Sequence, residues 1–78
     1  MGTSETLPND IYNAFVDAGF DPSDEVERWY KDGPRTWVLV TEGSADGLTS
    51  DDDFRRILGQ TYEIHSDGAY EIRLTKLA

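Results

Sequence analysis

Seventy-eight residues make one domain with a thin core, because a chain this short buries only about 60% of the surface its unfolded form exposes. There is no cysteine, which excludes disulfides, zinc-thiolate sites and thiol chemistry; no apolar run nears the ~20 residues of a membrane span, and no signal-peptide core opens the chain. Sixteen acids against seven bases give a net charge of −9, the wrong sign for a duplex nucleic-acid binder.

These numbers predict a soluble cytoplasmic protein, and the charge bears on its solvent. Only Lys31 and Lys76 are lysines, ten of the acids are Asp, and Leu, Ile, Val and Phe together number 17 of 78. At low ionic strength such a chain repels itself. At 1 M salt the Debye length falls to about 3 Å and the repulsion is nearly silenced. A disordered acidic chain would lack periodicity, and this one has it, so the composition predicts a folded protein from a salt-adapted source. An ordinary acidic domain is the plainer alternative.

Met1 to Thr6 are small and polar and read as a disordered tail; residues 7–78 read as a single α+β domain. Leu7-Pro8 opens a first helix, since a missing N–H costs nothing in the first turn. Ile11, Ala14, Phe15 and Ala18 form its apolar stripe, and Gly19 stops it. Tyr12 and Val16 lie off the stripe. Phe20 to Asp24 read as a connector.

Two β-rich runs follow, Val26 to Lys31 and Arg35 to Thr41, split by Asp32-Gly33, a strong hairpin signal. A three-residue loop Lys31-Asp32-Gly33 sets Trp29, Trp37 and Leu39 on one face and Val26, Tyr30, Val38 and Val40 on the other; a two-residue loop regroups them. Gly43 to Thr49 read as a flexible loop. Ser50 or Thr49 is expected to cap a short second helix with Asp51, Asp52 and Asp53 in its first turn, Phe54, Ile57 and Leu58 on its stripe and Gly59 at its end. A closing hairpin carries Tyr62 and Ile64 before Ser66-Asp67-Gly68 and Tyr70, Ile72 and Leu74 after it. A three-residue loop there pairs Ile64 with Tyr70 and Tyr62 with Ile72, leaving Glu63, His65, Glu71 and Arg73 on a solvated face.

The order is α-β-β-α-β-β, and the simplest architecture is a two-layer α+β sandwich: a four-stranded antiparallel sheet with both helices on one face. Superposing Asp32-Gly33 on Asp67-Gly68 aligns Leu39 with Leu74, too few matches to argue a duplication.

Catalytic material is sparse. His65 is the only histidine, and Ser66 and Asp67 beside it along a turn cannot form a nucleophile-base-orienter set. The glycines do not fall at phosphate-loop or dinucleotide spacing. No cofactor is implied. Segment 42–53 resembles a twelve-residue EF-hand loop, with Glu42, Ser44 and Asp46 at positions one, three and five, Gly47 at the turn, Leu48 at the carbonyl position, Ser50 at nine and Asp53 at twelve. It departs at position one, at position twelve and at the apolar position eight, and a strand precedes it. The plainer reading is a loop running into an aspartate-capped helix; the functional one is a weak divalent-cation module using Glu42, Asp46, Asp51, Asp52 and Asp53.

Nine aromatics exceed what a thin core needs. Helices cover one face of a sheet only, and Trp, Tyr and Arg are enriched at interface centres. The leading expectation is a non-enzymatic protein-interaction or regulatory domain, a homodimer or a binder of another protein, docking through the outer sheet face around Trp29, Tyr30, Trp37 and Val38 with Arg28 and Arg35. A third reading, single-strand nucleic-acid binding by Arg28, Arg35 and the hairpin aromatics, is opposed by Glu25, Glu27 and Asp32 on the same ribbon.

Overall fold

Helix α1 (Asn9–Asp17) starts after Pro8, whose carbonyl accepts from Tyr12 N–H at 2.9 Å. It ends where the spacing predicts. Gly19 takes φ +92°, its N–H donates to Val16 O, and Phe20 N–H reaches back to Phe15 O at 2.8 Å. This pair of bonds satisfies carbonyls that a helix end leaves unpaired, and it swings Phe20 back over the helix. The coordinates are a computed structural model that describes residues 7–77; the tail expected at 1–6 lies outside the described residues.

The segment read as a connector contains a single helical turn, α2 (Pro22–Glu25), with Asp21 Oδ1 accepting from Ser23 N–H. Strands β1 (Val26–Lys31) and β2 (Thr36–Thr41) follow. The loop expected at 43–49 holds a second short turn, α3 (Asp46–Thr49), and α4 (Asp52–Leu58) follows. The cap of α4 is Asp51, whose Oδ1 accepts from Phe54 N–H at 2.9 Å. Ser50 and Thr49, expected in that role, donate instead to carbonyls of their own turn, Asp46 O and Ala45 O. Strands β3 (Tyr62–Ser66) and β4 (Glu71–Lys76) close the chain.

The sheet is antiparallel throughout, in the order β1-β2-β4-β3. Both hairpins are registered differently from expectation, and for one reason. Asp32 N–H donates to Thr36 O, and Asp67 N–H to Glu71 O. Each aspartate therefore continues the ladder, and the loops are residues 33–35 and 68–70. Gly33 and Gly68, at φ +108° and +109°, take the first loop position, where a left-handed backbone suits glycine. Ile64 thus faces Leu74 and Tyr62 faces Lys76. Both shifts are even, so every side chain keeps its face. Val26 is the exception. A bulge at Glu27 pairs Val26 with Thr41 and Arg28 with Val40, which turns Val26 into the core.

The helices cover one face, as the two-layer reading predicts. The core joins Ile11, Phe15, Phe54 and Leu58 from the helices to Leu39, Ile72 and Leu74 from the central strands. Phe54 stands edge-on to Phe15 at 5.0 Å and to Phe20 at 6.1 Å between ring centroids. No helix among the described residues is long and apolar enough to cross a membrane.

Phe54 is fully buried and touches both aromatic neighbours at once, so Phe54→Ala leaves a cavity that the short α4 cannot close. The expected cost is about 3–5 kcal/mol, a large share of the stability of so small a domain. Urea unfolding followed by tryptophan fluorescence measures it, and a loss under about 1 kcal/mol would contradict this packing.

Candidate functional site

Among the described residues, no helix lies on the outer face of the sheet. Its rows follow from the register: Tyr30, Val38, Arg73 and His65 lie side by side across the four strands. Val38 is fully buried at the centre although it faces away from the helices, and Tyr30 is 45% exposed beside it. Arg73 spans the face as a fork. Its Nη1 lies 2.6 Å from Asp32 Oδ2 and its Nη2 3.4 Å from Asp67 Oδ2. The two Asp-Gly turns lie at opposite ends of the sheet, and one guanidinium ties both. The hydrogen bond to Asp32 raises the Arg73 pKa above its ordinary value, with smaller contributions from the Asp32 charge and from Asp67. His65 Nε2 lies 3.3 Å from Glu63 Oε2, with both side chains more than half exposed.

The six residues expected to form one docking patch are divided by the strand pleat, because neighbours along a strand point to opposite faces. Tyr30, Val38 and Arg28 lie on the outer face. Trp29 and Trp37 lie on the inner face, half-buried against the core. Arg35 sits in the first turn and is exposed. The outer face is therefore less aromatic and more charged than expected. The alternation of the closing hairpin places Arg73 only among solvated residues; the signal in the sequence for its partners is the pair of Asp-Gly turns.

The acidic segment 42–53 does not wrap around a central point. Ala45, at the N-cap of α3, and Leu48 within it turn into the core, Asp51 is engaged as the cap of α4, and Asp53 pairs with Arg56 at 2.9 Å. Among the described residues no three carboxylate or imidazole groups are gathered as cation ligands. Glu42, Asp46, Asp51 and Asp53 are thus not brought together, because the middle of the loop packs as a helical turn.

A second place was not anticipated. At the end of the sheet nearest the first turn, the inner face runs out from under the helices. A cleft of about 260 Å³ opens there, lined by Pro8 and Asp10 of the α1 start, by Lys31, Pro34, Arg35 and Trp37 of the first hairpin, and by Tyr62 and Lys76. Lys31 Nζ lies 5.8 Å from the centroid of the Trp37 ring. Tyr62 O–H donates to Asp10 Oδ2 at 2.9 Å, and Asp10 Oδ1 accepts Ile11 N–H at 2.8 Å. Burial, then the hydrogen bond to Asp10 and its charge, push the Tyr62 phenol up to about 12.

That shift has a sign that can be tested. The phenol is harder to ionise folded than unfolded, where it titrates near 10. Its contribution to stability is complete below pH 10 and is lost as pH rises through about 12, because the unfolded state releases its proton first. Denaturant unfolding across this alkaline range is expected to show falling stability, and Tyr62→Phe to flatten the fall. An unchanged slope in the variant would remove the assignment.

Comparison of the chain with family models, with curated proteins and with solved structures finds no match.

Proposed function

We propose that this chain is a non-enzymatic binding protein of a salt-adapted cytoplasm that associates with a second copy of itself through the outer face of its sheet. The observation that carries the reading is the uncovered face itself, with Val38 sealed at its centre and Tyr30 standing exposed next to it. Around them lie charges of both signs, Arg28 and Arg73 against Asp32, Asp67, Glu63 and Glu71. A face of mixed sign suits a copy of itself better than a partner of one sign. A half-turn about the strand direction sets Arg28 of one copy over Asp67 of the other and Tyr30 over His65. It also sets Asp32 near Glu63, a repulsion that salt screens.

The area limits the affinity. Strands of about six residues at ~3.3 Å each, four abreast at ~4.8 Å, give a face of roughly 20 by 19 Å. Two such faces bury less than the ~1,200 Å² of a standard interface, which places the dimer in the weak, transient class. The non-enzymatic part rests on His65, exposed and partnered by Glu63 alone among the described residues, without the oriented base and nucleophile that covalent chemistry needs.

Sedimentation over a concentration series tests this reading. A weak monomer–dimer equilibrium is expected that strengthens from dilute to molar KCl, since each copy carries −9. Tyr30→Glu is expected to weaken it about tenfold or more, a loss of ~1.4 kcal/mol, with little change in the unfolding midpoint because Tyr30 is already half exposed. A strict monomer at millimolar protein in molar salt overturns the proposal.

A further inference from the structure

Both lysines of a chain with a net charge of −9 border the same cleft, together with Arg35. The sheet register accounts for the convergence. Lys31 faces Trp37, Lys76 faces Tyr62, and Lys76 N–H donates to Arg35 O at 2.8 Å. These positions fall at the margin of the inner face, beyond the helices. Arg56 and Arg73 pair with aspartates, but among the described residues Lys31, Arg35 and Lys76 make no ion pair. The one carboxylate lining the cleft, Asp10, has both oxygens engaged, by Tyr62 O–H and by Ile11 N–H.

We propose that this cleft binds a small phosphorylated organic molecule, its phosphate held by Lys31, Arg35 and Lys76 and its planar part laid against Trp37. Three cations on separate strands and a turn suit a doubly charged anion with three terminal oxygens. A carboxylate, singly charged and planar, would be served by one guanidinium fork. The ring of Trp37 carries the Lys31 ammonium 5.8 Å from its centroid, and a stacked ring system would take the place of that ammonium as it turns to the phosphate. The volume lies just under the ~300–1,000 Å³ of common small-molecule pockets, which fits one phosphate and one ring system. A long nucleic-acid strand is disfavoured, because past the cleft its phosphates would run along an acidic surface. The plainer account is that lysines at a core margin cover apolar surface with their stems and keep their heads in water. That account requires no saturable binding.

The intact chain titrated with AMP, inorganic phosphate and adenosine, followed by amide shifts and tryptophan fluorescence, separates the two. AMP is expected to saturate, with shifts confined to residues 31–37, Tyr62 and Lys76, and to bind about tenfold more tightly than adenosine. Inorganic phosphate is expected to shift the same amides. Lys76→Gln, at an exposed position, is expected to weaken AMP about tenfold while leaving the remaining amide spectrum in place, and Arg35→Gln to do the same. Shifts that rise linearly without saturating, adenosine binding as tightly as AMP, or variants that bind AMP like the parent overturn the proposal. None of these outcomes depends on whether the chain self-associates.

Discussion

The packing of Phe54 between Phe15 and Phe20 is the contact on which the two layers depend. Each of its partners comes from a different piece of local logic. Phe15 belongs to the apolar stripe of α1. Phe20 lies past the end of that helix and is turned back by the glycine-centred C-cap. Phe54 is set in the first turn of α4, where its own N–H is held by Asp51. A helix of seven residues has almost no stability alone. Capped at one end and buried through one aromatic ring, it becomes the second half of the roof over Leu39, Ile72 and Leu74.

That roof is small, and its size decides what is left uncovered. Helices α1 and α4 supply sixteen residues between them, nine and seven, against a sheet of four strands. They cover the middle of one face. Among the described residues, the whole of the other face is left open, and so is the margin of the covered face beside the first turn. The two candidate binding regions are the two consequences. On the open face the chain protects Val38 with Tyr30 and the Arg73 fork as its neighbours across the strands. At the open margin it places Lys31, Arg35 and Lys76, the residue types that can leave a core edge without burying charge.

Electrostatics give both regions the same dependence on solvent. A chain at −9 repels its own copies and any anion. Screening removes the long-range repulsion and spares short contacts. The local features that remain are mixed charge over the outer face and a cluster of bases at the cleft within an acidic chain. Two acidic residues of segment 42–53 make contacts within the fold, Asp51 as the cap of α4 and Asp53 in its pair with Arg56.

Much of this architecture was legible in the residues alone. Period-3.6 stripes at Ile11 to Ala18 and Phe54 to Leu58 set the helices, alternation and two Asp-Gly steps set the hairpins, and Gly19 and Gly59 set the stops. These are short-range signals, determined by neighbours a few positions apart. The pleat fixes which face a side chain takes as long as the register moves by an even step, so most face assignments survive hairpins whose pairing differs. Three things needed the assembled structure. The ladder extends to Asp32 and Asp67 because their N–H groups find carbonyls across the turn. The bulge at Glu27 turns Val26 inward. The meeting of Lys31, Arg35, Tyr62 and Lys76 with the start of α1 joins segments far apart in the chain, and only the pairing of β2 with β4 brings them to one end of the sheet. Local sequence determines dihedrals and faces; long-range pairing determines which distant side chains share a space, and no local pattern encodes it.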